Sequence, residues 1–209
     1  MNLVVVDHPL VADRLVTLRD EATGPAEFRR VAAEIATFLT FEATRDLATG
    51  AVTVSSPLGA AEGRRMVDPL PIVVPILRAG LGLADALLAA IGGGDMAVVG
   101  IRRDEDTLEP GLYCETLPGS LAGRPAIVCD PMLATGGSAV LTIEMLAARG
   151  AGPITLVTLV AAPEGLKRID EASVGVTVVC AAVDDHLDDR GYIFPGLGDA
   201  GDRLFGPRD

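Results

Sequence analysis

The string Asp130-Pro131-Met132-Leu133-Ala134-Thr135-Gly136-Gly137-Ser138 joins an apolar run, residues 126–129, to a helix-like stretch, residues 139–148. A strand that ends in a small-residue loop and leads into a helix collects free backbone N–H groups at one point, which makes a cradle for an anion. Thr135 and Ser138 add hydroxyl donors, and Gly136-Gly137 removes side chains that would keep a phosphate off the backbone. Asp130, at the end of the strand, is placed to accept from sugar hydroxyls or to orient the water shell of a bound cation. A Walker A loop needs a lysine before the hydroxyl residue; Gly137 stands there, which argues against triphosphate hydrolysis of that kind. A plain strand-to-helix turn is the other reading of Gly-Gly-Ser taken alone.

Two further positions carry cations where an anion would need them. Arg78 follows the buried run Ile72-Val73-Val74-Pro75-Ile76-Leu77, so its side chain is held at the carboxyl edge of a sheet, within reach of a diphosphate. Taken singly it reads equally as a surface arginine paired with an acid. Arg102-Arg103 before Asp104-Glu105-Asp106 reads by itself as a solvated charge run. Near the end of the chain, Gly196-x-Gly198-x-x-Gly201 satisfies the dinucleotide pattern, but eight residues follow Gly201, too few for the βαβ unit that gives the pattern meaning. The apolar start and tight glycine turns of residues 191–203 suit instead a backbone-lined slot for a flat heterocycle.

The elements that must position these residues alternate. Residues 10–18 and 28–39 have helical apolar spacing and are separated by Gly24-Pro25. A short β-branched stretch at 52–54 precedes the run 72–77, where the sheet begins; then come a helix at 81–91 closed by three glycines and a strand at 96–101. After a polar stretch, 102–118, the pattern repeats with a strand at 126–129, a helix at 139–148 and a strand at 154–160. A helix-like stretch at 164–172 and a strand at 174–183 continue it, and residues 184–209 are loop-rich. The fold class expected is α/β, a mostly parallel sheet with helices on both faces and a helical arm before it.

Composition sets the outer limits. With 209 residues, 49% hydrophobic and 22% charged, the chain suits one compact domain, 1–209. A net charge of -12 without a basic cluster argues against nucleic acid or an anionic membrane, while a small anion held by local N–H groups and a few arginines needs no positive total. Cys114, Cys129 and Cys180 read as reduced structural thiols, and His8 and His186 offer a structural zinc site almost no ligands. Neither signal segment nor membrane span is expected, which points to a soluble cytoplasmic protein.

The loop 130–138 resembles the phosphoribosyl-diphosphate loop of type I phosphoribosyltransferases, in the form of the uracil phosphoribosyltransferases, where Asp130-Pro131 stands in place of two adjacent acids. The resemblance runs along nearly the whole chain: His8-Pro9-Leu10-Val11, Leu18-Arg19-Asp20 and Phe41-Glu42-Ala43-Thr44-Arg45-Asp46-Leu47 in the arm (1–50), Ile76-Leu77-Arg78-Ala79-Gly80 in a first loop, Gly100-Ile101 with Arg103-Asp104-Glu105 and Thr107-Leu108-Glu109-Pro110 in a flap (102–118), and residues 191–203 in a base-binding segment (184–209). It implies that Arg78, Arg103, the loop Asp130 to Ser138 and Asp199 bind phosphoribosyl diphosphate, and that the backbone of Ile193, Gly198, Asp199 and Ala200 binds uracil. It further implies Mg²⁺ carried by the diphosphate rather than by protein ligands, GTP as an activator, and a homo-dimer or larger homo-oligomer. Ser55-Ser56, Arg102, Thr116 and Asp188-Asp189 depart from the family pattern.

The implied reaction is pyrimidine salvage: uracil and phosphoribosyl diphosphate give UMP and diphosphate. No residue stands out as a nucleophile, so catalysis by positioning and electrostatics is expected, with Arg78 and Arg103 at the departing charge. The competing readings are the same fold acting on another base, a nucleotide-sensing regulator that binds RNA, and an α/β domain with no catalytic role.

Overall fold

The computed structural model describes residues 1–103 and 110–207; the side chains of residues 103 and 110 lie outside that description. The expectations for the flap between Asp104 and Glu109, and for the Arg103 side chain, therefore fall outside the described residues. The chain opens with strand β1 (Asn2–Val5), then helices α1 (Pro9–Arg19) and α2 (Pro25–Ala43). Both helices begin on proline, whose missing N–H costs nothing in a first turn, and His8 caps α1 by accepting from Leu10 N at 3.1 Å. Strand β1 is an addition to the sequence reading, which assigned no element there. It is a sheet edge whose partner lies near the other end of the chain, so no local signal marks it.

Strands β2 (Thr49–Ser56) and β3 (Gly59–Met66) form an antiparallel hairpin of their own, outside the main sheet, with Leu58 fully exposed at its tip. The β-branched stretch 52–54 lies in the middle of β2. There follow β4 (Ile72–Leu77), α3 (Leu81–Ile91), β5 (Asp95–Met96), β6 (Val99–Arg103), β7 (Pro110–Glu115), β8 (Ala126–Cys129), β9 (Met132–Leu133), α4 (Gly137–Ala148), β10 (Ile154–Ala161), α5 (Pro163–Glu171) and β11 (Val176–Val183). A small hairpin, β12 (His186–Leu187) with β13 (Ile193–Phe194), and helix α6 (Ala200–Phe205) complete the chain. The loop-rich end is thus more ordered than its composition suggests.

The main sheet runs β1-β11-β10-β8-β4-β6-β7 and is parallel apart from β7, which lies antiparallel on β6. Part of the polar stretch 102–118 is therefore an edge strand. Side chains alternate between the two faces: Val73, Ile127 and Val157 pack with α1, α2 and α3, while Val74, Val128 and Leu156 pack with α4 and α5. Each such buried aliphatic side chain contributes about 1.5–3 kcal/mol of transfer free energy, so the sheet is fixed from both sides. From β4 the chain steps one way to β6, but from β8 it steps the other way to β10 and β11. Since β4 and β8 are neighbours, the winding reverses between them, and their carboxyl ends open a crevice. Among the described residues, no helix is long and apolar enough to cross a membrane.

Candidate active site

Two loops leave the sheet at that crevice and are packed against each other. The first, after β4, is a tight turn in which Gly80 N donates to Ile76 O at 2.8 Å; the Leu77–Arg78 peptide is cis. Gly80 has no room for a side chain, because a Cβ there would collide with the Cys129 carbonyl and lie 2.6 Å from Ile76 N. The turn thus rests on the end of β8, directly below Asp130. Arg78 projects from it with Nε buried and without a hydrogen-bond partner among the described residues, and its Nη2 is 3.6 Å from Asp202 Oδ1.

The second loop, 130–138, is nailed to β10. Asp130 N donates to Val157 O at 3.2 Å, and Pro131 O accepts from Leu159 N and Val160 N at 3.1 and 3.2 Å. Met132 and Leu133 then pair with Val160 and Ala161, and Leu133 N donates to the buried Thr158 Oγ1 at 3.2 Å. On the other side the loop lies on α5, where a Cβ at Gly165 would collide with Ala134 O and stand 2.8 Å from Leu133 O. Helix α4 starts at once after Gly136, and Thr142 Oγ1 holds Ser138 O at 2.9 Å. The result is a hollow of about 90 Å³ lined by Asp130 and residues 132–139, with the first-turn N–H groups of α4 at its end.

Burial of the Asp130 carboxyl pushes it up to about 7, opposed in part by the hydrogen bond it accepts from Met132 N. At neutral pH this acid is therefore poised between its two forms, and a cation or a sugar hydroxyl beside it would decide which prevails.

The facing wall comes from the end of the chain. Ile193 is buried in β13, Ala200 is buried at the start of α6, and Asp199 caps that helix by accepting from Asp202 N at 2.9 Å. Asp188 ties the turn before β13, its Oδ1 accepting from Arg190 N at 2.9 Å and Tyr192 N at 2.8 Å. Asp188 thus has a local structural use, which an asparagine oxygen would serve equally, so nothing in these bonds explains the departure from the family pattern. Between this wall and the loop lies a cleft of about 290 Å³, with Ala79, Asp130, Met132 and Ala134 on one side and residues 190–193 and 198–201 on the other.

The structure therefore brings Asp130, Met132, Ala134, Ile193, Gly198, Asp199 and Ala200 to one cleft, and it joins Thr135, Gly136, Gly137 and Ser138 to that cleft through the adjoining hollow. Leu133 lines only the hollow, and Pro131 lines neither; its carbonyl anchors the loop to β10. Arg78 stands at the edge, opposite Asp202. Sequence reasoning did not single out Arg190, Thr158 or Gly165. Arg190 carries no motif, and the other two act only through backbone that lies far along the chain. Among the described residues, no group of three or more His, Cys, Asp or Glu side chains could hold a metal ion.

A doubly wound sheet whose switch-point crevice is closed by a phosphate-type loop on one side and a hood on the other defines the type I phosphoribosyltransferases. The fold is shared with adenine phosphoribosyl transferase from Trypanosoma brucei at a TM-score of 0.58 over 87% of this chain and 82% of that one, with 10% identity. Within the class the chain belongs to the uracil phosphoribosyltransferase family, whose model matches residues 5–207. It is 50% identical over 208 residues to the uracil phosphoribosyltransferase of Streptomyces avermitilis, covering 99% of each chain. It also superposes on the AQ2163 protein from Aquifex aeolicus with a TM-score of 0.92, 35% identity and 98% coverage of both chains. The family is one of enzymes that transfer phosphoribosyl groups.

Proposed function

We propose that the chain acts in the cytoplasm in pyrimidine salvage, transferring the phosphoribosyl group of 5-phospho-α-D-ribose 1-diphosphate to uracil with release of UMP and diphosphate. The observation that carries this reading is the single cleft in which Asp130, Met132 and Ala134 face Ile193, Gly198, Asp199 and Ala200. An anion cradle alone would serve many ligands; a cradle that shares a cleft with a backbone-lined slot suits two substrates whose reacting atoms must meet.

In this reading the 5′-phosphate sits in the hollow of Ala134 to Ser138, where backbone N–H groups and hydroxyls hold the sugar in register. The ribose hydroxyls lie toward Asp130, and the diphosphate extends toward Arg78 and Asp199; Arg103, which the resemblance adds, has its side chain outside the described residues. Uracil lies in the slot, read at its edge by the backbone of Ile193 and Gly198 to Ala200. As the C1′–O bond breaks, the uracil N1–C1′ bond forms and the N1 proton passes to water or to the diphosphate. Arg78, whose Nε has no hydrogen-bond partner among the described residues, stabilises the negative charge that develops on the leaving group. Catalysis is thus by alignment and charge.

Mg²⁺ belongs to the same reading. Asp130 and Asp199, the carboxylates of the cleft, suit an ion held mainly by substrate phosphates with one or two protein acids beside it. Bound there, it would offset charge on the departing diphosphate. A homo-oligomer with contacts through the arm, where Val16 and Phe41 are exposed, and activation by GTP complete the proposal.

The test is incubation of the purified protein with uracil, phosphoribosyl diphosphate and Mg²⁺, with UMP and diphosphate quantified. The two products should appear in equal amounts. Tight binding of RNA or nucleotide with no uracil consumed would replace this reading by that of a regulator.

A further inference from the structure

Arg19 ends α1, in the helical arm, yet its guanidinium reaches the hood across 165 positions of sequence. Its Nη2 donates to Asp184 Oδ1 at 2.6 Å, and its Nη1 donates both to Asp184 Oδ2 and to the carbonyl of Gly196, each at 2.9 Å. Asp184 Oδ2 in turn accepts from Gly196 N at 2.9 Å. One ion pair therefore holds both polar groups of a single glycine. Asp184 is itself fixed, being 7% exposed and donating from its backbone N to Ala161 O at 2.8 Å, beside the end of β10.

Gly196 sits at a φ of +60° in the turn that joins Ile193 to Gly198, and it has no side chain with which to hold itself. A second arginine secures the next residue: Arg203 Nη1 donates to Leu197 O at 3.0 Å, and its Nη2 donates to Asp20 O at 2.7 Å, in the arm. A nearly buried ion pair is a poor source of net stability, because desolvation takes back most of the Coulomb gain. What a forked guanidinium and a carboxylate supply instead is fixed geometry, with several bonds of set direction converging on one peptide.

We propose that Arg19 and Asp184 are positioning residues for the base: they set the height and orientation of the Ile193–Gly198 turn without touching uracil. The inference rests on the assignment of that turn as the uracil slot. It gives the helical arm a part in substrate recognition, beyond covering one face of the sheet. The phosphate loop has anchors of its own in Thr158, Val157 and Gly165. It shares with the clamp the backbone of Ala161, which pairs with Leu133 and accepts from Asp184 N, a bond that a change of the Arg19 or Asp184 side chain leaves in place.

The test is steady-state kinetics of the full chain and of Arg19→Lys and Asp184→Asn, varying uracil and phosphoribosyl diphosphate separately. Lysine keeps the charge but cannot donate along the three directions, and asparagine keeps the shape but weakens the pair. Both variants should raise the KM for uracil roughly tenfold, the loss of about one or two such hydrogen bonds. The KM for phosphoribosyl diphosphate and the kcat should stay within about twofold, since the side-chain changes leave the phosphate loop's bonds to Thr158 and Val157 and the Asp184 N to Ala161 O bond in place. An unchanged uracil KM, or equal rises in both KM values with a lowered melting temperature, would overturn the proposal. Should Asp184→Asn not fold, Arg19→Lys, at a partly exposed helix end, decides alone. Gly198→Ala separates the two levels: if it raises the uracil KM while Arg19→Lys is silent, the clamp alone fails; if it too is silent, the slot assignment falls.

Discussion

Arg78 Nη2 stands 3.6 Å from Asp202 Oδ1, so the cation at the end of β4 already faces an acid of α6, each one residue along the chain from a lining residue of the cleft, Ala79 and Gly201. Both side chains are partly exposed, and such a pair contributes at most about 1 kcal/mol. A diphosphate, which offers more charge and more acceptors, outcompetes the carboxylate for the guanidinium. Asp202→Asn should therefore tighten phosphoribosyl diphosphate binding, by about two- to fivefold in a calorimetric titration. Arg78→Met should weaken it by more than tenfold. Weaker binding in Asp202→Asn would show that the acid orients Arg78 rather than competes for it.

Gly165→Ala tests the support beneath the phosphate loop. The added methyl meets the Ala134 and Leu133 carbonyl oxygens, both backbone, so the loop itself must move. Overpacking of this kind costs about 1–3 kcal/mol. A lowered melting temperature together with a raised KM for phosphoribosyl diphosphate, and a smaller change for uracil, is the expected pattern.

Asp199 has two uses, as a wall of the cleft and as the cap of α6. Asp199→Ala should lose roughly 0.5–2 kcal/mol of stability from the lost cap. It should lose activity far beyond that, with the circular dichroism spectrum preserved. Near-native turnover would remove Asp199 from the site.

The Asp130 carboxyl, pushed up to about 7 by burial, gives a pH dependence with a definite sign. An unfolded aspartate titrates near 3.9, so between about pH 4 and 7 the folded chain holds more protons here than the unfolded one. This group therefore lowers stability as pH rises through that window, and its penalty is complete above about 7. Asp130→Asn should flatten this part of the stability profile and stabilise the protein at pH 8, as read by denaturant titration. If the sugar and the cation lie beside Asp130 as proposed, the substitution should also raise the KM for phosphoribosyl diphosphate, because an amide cannot replace the ionised acid there.

The parts legible in the sequence were those with local signals. The buried runs 72–77 and 126–129 and the glycine-closed helix at 81–91 declare the alternation. The loop 130–138 declares its place between a strand and a helix by its glycines and hydroxyl residues, and β8 and α4 flank it in the structure. Strand β1 was silent because its partner is β11, and of the hairpin only the β-branched stretch 52–54 in β2 was legible, because most residues of β2 and β3 are exposed and follow no buried pattern. The supports of the site were silent for the same reason. Thr158 acts on Leu133 N, Gly165 gives space to Ala134 O, and Arg19 acts on Gly196. Each is an ordinary residue whose use appears only when folding brings distant backbone to it.

The central claim, that the cleft between the 130–138 loop and the 193–200 slot selects uracil, is tested most directly by one comparison. With phosphoribosyl diphosphate and Mg²⁺ held saturating, kcat/KM is measured for uracil, hypoxanthine, adenine and orotate. The account predicts that uracil exceeds each of the others by at least about a thousandfold, because a slot that reads a base edge leaves its buried polar groups unpaired with the wrong base. Comparable values for any other base would contradict it.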